Sequence, residues 1–455
     1  MSPLSSRRTF LRRNVAMAAA LGGAATPWAL NLAALSAASA QTAGDDYRAL
    51  VCIFLSGAND NHNTLVPLDA ATHAEYLRIR GSIALPLAGL DATELVPTNP
   101  WPDGRRMALN PGLAALKPLF DSGRLALAMN VGPMLGPLTL AQYNAGIGRP
   151  PGLFSHNDQQ NTWRAGSSQS PTGWGGRIAD LVLGNNATSG VFTAVTTGGG
   201  LFLSGDRATA YQVGGGGSTQ VSRVFGSDAA TADIKALMQQ ASSNVFQEAH
   251  AAVARSSINA DLSLRTALAA NPSPVVFPNT SLGGQLQVVA RMMAARSTLG
   301  VKRQVFYVSV GGWDMHDNLI ANHSGKLAEV ANAMKAFYDA TVTLGLANKV
   351  TTFTASDFGR TLANNGDGSD HGWGSYHFVM GDAVQGQSWV GQLPTMAMNG
   401  PHDVGGGRLL PNISVDQYAA TLATWFGVSA ANLPLVMPRI GLYGNTNLGF
   451  MKAAL

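Results

Sequence analysis

The chain has 455 residues, of which 46% are hydrophobic, 12% are charged and 52 are glycine. This composition is typical of a loop-rich globular protein with a large core, and it excludes an intrinsically disordered chain. The formal net charge of +4 comes from four arginines within the first 13 residues, and the remaining residues carry 26 basic and 26 acidic side chains. The positive net charge of the whole chain is therefore no indication of nucleic-acid or membrane binding.

The N-terminal segment has the three parts of an export signal. Residues 6–12, SRRTFLR, match the twin-arginine consensus, an Ala/Leu/Gly-rich stretch follows, and Ala38-Ser39-Ala40 fits a small-residue cleavage site. We therefore predict a signal peptide over residues 1–40, recognition by the Tat translocase, and a periplasmic or otherwise exported mature domain over residues 41–455.

An uncleaved membrane anchor is the alternative interpretation of this segment. Pro27 and Asn31 interrupt its apolar run, which is weakly hydrophobic, and the sequence has no other stretch of 18 or more apolar residues. We therefore predict no stable membrane span.

Residues 49–55, ALVCIFL, are continuously apolar, which predicts a strand buried on both faces of a sheet. The single cysteine, Cys52, lies in this strand and is expected to be a core residue. The strand ends in the polar stretch 56–64, where Asp60 is a candidate metal ligand supported by Asn59 and Asn61. The alternative is an Asx-turn that closes the strand.

Next, Asn110-Pro111 predicts the start of a helix that ends near residue 121, and residues 125–131 predict another buried strand. A strand, a helix and a strand in this order indicate a parallel crossover.

The stretch 153–160, LFSHNDQQ, combines a hydroxyl with a predicted helix start. Ser155 and Asp158 have capping-box spacing, so Ser155 is expected to begin a helix. Free backbone N–H groups at a helix start favour phosphate or sulfate, which makes Ser155 a candidate nucleophile or anion contact, with His156 as a supporting residue. The alternative is that Ser155 only caps the helix.

Residues 191–195 and 201–203 predict short strands, residues 229–271 predict long helices, and residues 282–299 predict an amphipathic helix. We place an insertion, which could form a cap or lid, at about residues 190–275.

Residues 304–310 predict a third buried strand, which opens into the turn that carries Asp314 and His316. Asp and His at a strand end are common ligands of divalent metals. A helix over residues 324–344 leads to a fourth strand, 351–355. Residues 390–393 predict an edge strand, and Ser414 predicts the cap of a late helix.

The fourth strand runs directly into Asp357 and Arg360, and the loop beyond them ends in Asp370, His371 and, a little later, His377. Open α/β sheets bind ligands at the carboxyl ends of their strands, so these side chains could hold a cation and an anionic group together. The alternative is a polar surface loop rich in turn-forming residues.

Several stretches together resemble the DUF1501 family, a branch related to sulfatases within the alkaline phosphatase superfamily. The resemblance covers nearly all of the mature chain. It rests on FLSGANDNHNTLVP, GLFSHNDQQNTW, GGWDMHDN, SDFGRT…DGSDHGWGSYHFVMGDAV and SVDQYAATLATWFGV. It implies an alkaline-phosphatase-like α/β/α sandwich with a central, mostly parallel sheet and an inserted helical or cap region.

The resemblance also implies a site with Ser155 as nucleophile and one or two divalent ions, which could be zinc, manganese or calcium. The implied metal ligands are Asp60, Asp314, His316 and Asp357, together with a late histidine, His371 or His377, and Asp370 beside it. The chain departs from the superfamily pattern in its Asp-x-His spacing, in Phe358 after Asp357, and in lacking the Cys-x-Pro-x-Arg signature. These departures argue against a classical sulfatase.

Two functions fit these observations. The first is an exported metal-dependent hydrolase of phosphate or sulfate esters, in which Arg360 neutralises developing charge on a small anionic substrate. The second is a non-catalytic exported binding or assembly protein on a degenerate fold. In the first case the candidate residues must converge, whereas in the second they need not.

Overall fold

The computed structural model describes residues 47–186, 190–218 and 223–453, so the predicted signal peptide lies outside the described residues. The strands are β1 Arg48–Leu55, β2 Leu65–Pro67, β3 Glu94–Leu95, β4 Met107–Leu109, β5 Leu125–Gly132, β6 Ala194–Thr196, β7 Tyr211–Gln212, β8 Arg303–Val310, β9 Val350–Ser356, β10 Arg360–Asn364, β11 Ser369–His371, β12 Ser375–Met380, β13 Ser388–Gly391 and β14 Ile413–Ser414.

The α-helices of the same residues lie mainly between the strands. They are α1 Ala70–Arg80, α2 Lys117–Asp121, α3 Leu140–Asn144, α4 His156–Ala165, α5 Trp174–Val182, α6 Asp228–Met238, α7 Val245–Ala270, α8 Ser281–Ala294, α9 Leu319–Thr343, α10 Val415–Phe426 and α11 Leu433–Val436.

Nine strands form a central sheet in the order β13-β5-β12-β9-β1-β8-β6-β7, and β14 pairs with β5. Strand β1 is parallel to both β8 and β9, and β13 and β14 are parallel to β5. Within the described part of the sheet, only β12 runs antiparallel to its neighbours. The predicted mixed α/β fold with a mostly parallel central sheet is therefore confirmed.

Strand β1 is buried on both faces, because helices pack against each side of the sheet. Val51 and Ile53 belong to the same apolar cluster as residues of α8 and α9. On the other face, Arg164 of α4 lies with its guanidinium carbon 4.4 Å from the ring centroid of Phe54. Cys52 is buried as predicted, and burial raises the pKa of its thiol. Burial on both faces explains why the strand has no polar alternation.

The register of the central strands brings three strand ends to one edge of the sheet. Leu55 at the end of β1 lies opposite Val310 of β8 and Ser356 of β9. The chain segments that follow these strands therefore begin side by side. This alignment determines where the candidate site can form.

The predicted insertion contains elements of two kinds. Strands β6 and β7 extend the central sheet beside β8, whereas α6 and α7 follow as helices. The strand predicted at residues 201–203 is wrong, because Leu201–Leu203 is a 3-10 turn, and a second 3-10 turn, Gly190–Phe192, precedes β6. Among the helices described, none combines the length and the apolar character needed to cross a bilayer.

Candidate metal centre

The loops that follow β1 and β8 approach each other closely at Gly57. This glycine has φ +117°, and a Cβ atom placed on it would lie 2.7 Å from the backbone nitrogen of Asp314. Its own N–H donates to both carboxylate oxygens of Asp357, at 3.2 Å each. Glycine is needed here both for the positive φ and for the close backbone contact.

Helix α4 begins above this edge of the sheet. Ser155 caps the helix, with its hydroxyl accepting from the N–H of Asp158 at 3.5 Å. The first helical residue, His156, has its Nδ1 2.6 Å from Oδ2 of Asp357. One turn later, Gln160 Nε2 donates to the same oxygen at 2.7 Å. Asp357 is fully buried, and its two hydrogen bonds to α4 link the start of that helix to the end of β9.

The other two histidines are held by the β8–α9 turn and the β10–β11 hairpin. His371 lies opposite Arg360 in the hairpin, and its Nδ1 is 2.7 Å from the carbonyl oxygen of Phe154. His316 has its Nδ1 3.3 Å from Oδ1 of Asp370. Since a carbonyl or carboxylate oxygen can only accept, Nδ1 carries the proton in His156, His316 and His371.

The three Nε2 atoms meet one carboxylate in a common space. His371 Nε2 lies 3.1 Å from His156 Nε2 and 2.9 Å from His316 Nε2. Asp314 contributes Oδ2 at 3.3 Å from His156 Nε2 and Oδ1 at 3.0 Å from His316 Nε2. One ligand atom each from His156, Asp314 and His371 lie within 4.8 Å of one another. We call His156, Asp314, His316 and His371 the ligand cluster.

Electrostatics distinguish the members of the ligand cluster. The hydrogen bond to Asp357 raises the pKa of His156. Partial burial lowers the pKa of His371. For Asp314, the hydrogen bond and charge of Arg360 outweigh the opposing effect of burial and lower the pKa of the carboxyl. Arg360 Nη1 donates to Asp314 at 2.7 Å, and its other donors face Ser369, so this arginine orients the carboxylate.

The remaining predicted site residues lie in other environments. Asp60 is buried in an ion pair with Arg80, and its Oδ1 accepts from the N–H of His62 at 3.0 Å. Asn59 donates from Nδ2 to Thr64 at 2.9 Å. Asn61 accepts from the N–H of Arg360 at 3.0 Å. These residues form a polar layer beneath the hairpin.

His377 lies in strand β12 and is 1% exposed. Its ring centroid is 5.3 Å from that of Trp163 and 5.9 Å from that of Tyr418, within the core between the sheet and α4. Burial lowers its pKa to about 3, so the ring is neutral at ordinary pH.

Three contacts of the site were not predicted from the sequence. Gln160 could have been found from its i, i+4 spacing to His156, which places both side chains on one face of α4. Arg408 donates from Nε to the carbonyl oxygen of His371 at 2.8 Å, and Phe154 supplies a carbonyl oxygen from a residue with φ +66°. A backbone contact of this kind has no residue-type signature.

Comparison with known proteins adds a family but no activity. The chain matches the family described as "Protein of unknown function (DUF1501)" over residues 47–420. No curated protein matches the chain. Among solved structures it is similar to Ps i-CgsB in complex with k-i-k-neocarrahexaose, with 11% identity, 88% of this chain and 77% of that chain covered, and a TM-score of 0.31.

A second structure of Ps i-CgsB has 13% identity, the same coverage of both chains and a TM-score of 0.32. Likeness at these scores carries no argument about this chain.

Proposed function

The chain belongs to the DUF1501 family, and we propose that it is an exported, metal-dependent hydrolase of phosphate or sulfate esters on an alkaline-phosphatase-like sandwich. The observation that carries the proposal is the convergence of three imidazole Nε2 atoms and one carboxylate.

With Nδ1 protonated, each Nε2 of the ligand cluster carries a lone pair, and the Nε2 atoms of His156 and His316 both lie against that of His371. Separations of 2.9 and 3.1 Å between such atoms are repulsive unless a cation or an added proton lies between them. Atoms bound tetrahedrally to zinc at about 2.0–2.1 Å are roughly 3.3–3.4 Å apart. The contacts of the cluster, at 2.9–3.3 Å, are equal to this value or shorter by up to about 0.4 Å.

The donor set also favours a particular metal. Imidazole nitrogens suit zinc and other transition metals, whereas calcium prefers oxygen ligands throughout. Asp357 and Asp370, predicted as ligands, hold the Nδ1 atoms of His156 and His316 instead. Such outer contacts fix the tautomer of a metal-binding histidine and raise its basicity. We therefore propose one zinc ion.

The ligand cluster is accessible from solvent, which suits a substrate site. The side chains of His156 and His371 are 27% and 24% exposed, and that of Asp314 is 44% exposed. Bound zinc would act as a Lewis acid toward an ester oxygen. His156, Asp314 and His371 would position the metal, and the fourth position would be open unless His316 fills it.

Ser155 is the proposed nucleophile, because it directly precedes His156 at the N-terminus of α4. Its Oγ would bond to phosphorus or sulfur while the bond to the leaving oxygen breaks. The serine proton would pass to solvent, and the leaving oxygen would take a proton from solvent. Water would then hydrolyse the seryl ester and regenerate the hydroxyl. The N–H groups of the first helical turn favour the added negative charge.

One observation favours the second function, a non-catalytic binding or assembly protein with a structural metal. If His316 is a fourth protein ligand, the tetrahedral site is closed, and closed sites are typical of structural zinc. His316 is held less tightly than the other histidines, at 3.3 Å from Asp370. In the hydrolase, we therefore expect His316 to be the ligand that substrate can displace.

The test combines metal analysis with turnover. Protein purified after native export is measured for zinc by mass spectrometry and assayed with an aryl phosphate and an aryl sulfate. We expect one zinc per chain, loss of zinc in His371→Ala, and retention in His250→Gln, which changes an exposed histidine of α7. Ser155→Ala should keep zinc and lose turnover.

Wild type with one zinc per chain and no turnover on either ester would favour the binding protein. Absence of zinc together with absence of turnover would refute the hydrolase.

A further inference from the structure

We propose that Arg408 binds the anionic group of the substrate beside the metal centre, a role that rests on the function proposed above. Its guanidinium contacts His371, a member of the ligand cluster, and Phe154. Nε donates to the carbonyl oxygen of His371 at 2.8 Å, and the guanidinium carbon lies 5.0 Å from the ring centroid of Phe154. Phe154 in turn accepts from His371 and directly precedes Ser155. Arg408 is thus next to both a proposed ligand and the proposed nucleophile.

Arg408 forms no direct ion pair within the described part of the chain, although its charge contributes to lowering the pKa of Asp370. Nη1 donates to the carbonyl oxygen of Gly405 at 2.9 Å, and no carboxylate of the described residues lies within ion-pair distance of the guanidinium. Nη2 has no acceptor among the same residues. A half-buried arginine that is held by backbone carbonyls and keeps donors unused can bind an anion with little reorganisation.

Arg360, predicted to neutralise charge on the substrate, has a different environment. It is 1% exposed, and its donors are directed at Asp314 and Ser369. Arg360 is therefore a positioning residue for the carboxylate of the ligand cluster. Arg408, by contrast, is a half-buried residue whose Nη2 has no acceptor among the described residues.

The loop around Arg408 is built to bring the guanidinium close to the backbone. Gly406 has φ +67°, and a Cβ atom there would lie 2.8 Å from Nη1 of Arg408. The preceding Asp403 accepts from the N–H groups of Gly405 and Gly407, at 2.7 and 2.8 Å, which fixes the loop. A planar, fixed guanidinium matches the oxygen spacing of phosphate or sulfate.

The test measures the affinity of zinc-loaded and metal-free protein for inorganic phosphate and, separately, inorganic sulfate by calorimetry. We expect Arg408→Gln to weaken binding of the preferred anion about 10- to 100-fold, as the loss of a charge-assisted contact implies. Arg408→Lys should recover part of the affinity, because it keeps the charge without the planar fork. The two anions distinguish a phosphate-ester site from a sulfate-ester site.

The matched control is Arg291→Gln. Arg291 also donates to two backbone carbonyls, those of Asn271 and Leu268, but it joins α8 to the end of α7. The substitution Arg291→Gln should leave the affinity for phosphate and sulfate unchanged.

Zinc content, measured separately, keeps the two proposals distinguishable. Unchanged zinc with weaker anion binding in Arg408→Gln supports the proposal, as does an Arg408-dependent affinity in metal-free protein even where no zinc binds. Wild-type affinity in Arg408→Gln, loss of zinc in that variant, or no anion binding by wild type would each overturn it.

Discussion

The buried carboxylate of Asp357 offers the sharpest test of the metal centre, because it touches the ligand cluster without being proposed as a ligand. It accepts from His156 Nδ1 at 2.6 Å, from Gln160 Nε2 at 2.7 Å and from the N–H of Gly57 at 3.2 Å. In Asp357→Asn the shape of the side chain is kept, but the charge is lost. If the asparagine carbonyl oxygen takes the place of Oδ2, His156 and Gln160 keep their acceptor, but the amide nitrogen then replaces Oδ1 and faces the N–H of Gly57, so that two donors meet.

The size of the effect follows from these contacts. A hydrogen bond to a charged acceptor contributes about 1.5–3 kcal/mol and a neutral one about 0.5–1.5 kcal/mol, so the His156 contact alone loses roughly 1–1.5 kcal/mol. The misplaced amide donor adds to this loss. We therefore expect zinc affinity to fall about 10- to 100-fold, the usual range for residues that orient a metal-binding histidine.

The assay is competition for zinc against a chelator of known affinity, together with thermal unfolding of the metal-free protein. Asp339→Asn is the matched control, because that aspartate lies on α9 in an exposed pair with Lys335. Zinc affinity within twofold of wild type in a folded Asp357→Asn protein would refute the assignment of His156 as an oriented ligand.

Three further predictions concern stability. Gly57→Ala should cost more than about 1 kcal/mol of unfolding free energy and weaken zinc binding, since the new Cβ would lie 2.7 Å from a backbone nitrogen of the β8–α9 turn. Asp60→Asn should cost about 3–5 kcal/mol by leaving Arg80 buried without its counter-charge, yet keep one zinc per chain. The pKa of His377 is about 3 in the folded protein, compared with 6.5 for a free histidine. The stability that its neutral ring contributes is therefore complete above pH 6.5, where the unfolded chain also keeps the ring neutral, and it is lost as the pH falls toward 3. His377→Phe should therefore reduce the slope of unfolding free energy against pH by about 1.4 kcal/mol per pH unit between pH 5 and 6.

Each of these measurements has its own control. Gly427→Ala has a similar φ of +114° but no atom within 4 Å of the added Cβ, so it separates backbone strain from the close contact. If Asp60→Asn removed zinc while the protein stayed folded, Asp60 would be a ligand after all. His250→Gln should keep the wild-type pH slope. An unchanged slope in His377→Phe would contradict the assignment of a neutral, buried ring.

Most of the scaffold could be predicted because it depends on local sequence. A run such as residues 49–55 has only one way to bury every side chain, and Ser414 caps α10 through a capping box as its sequence indicates. The error at residues 201–203 has a physical cause. An apolar triplet beside Gly200 is too short to distinguish a strand from a 3-10 turn, and both bury Phe202 and Leu203.

The candidate site was harder to predict, because its contacts join distant parts of the chain. His156 meets Asp357 across 201 residues, and Asp60 is paired with Arg80 at the end of α1, a helix that was not predicted. His377 is close to His371 in sequence, but strand β12 carries it into the core beside Trp163. Chain proximity was therefore a poor guide to which histidines share a site.

The same long separations bear on when a metal could bind. The Nδ1 acceptors of the three histidines come from residue 154, from the end of β9 and from the β10–β11 hairpin, so the three are brought together only when these distant segments have folded against one another. An unfolded chain would offer the Nε2 atoms singly and in either tautomer, which makes its affinity for zinc low. Binding of the proposed zinc would therefore be coupled to folding of the domain. The predicted twin-arginine signal fits this coupling, since that route accepts proteins that have folded before export, with any metal already enclosed.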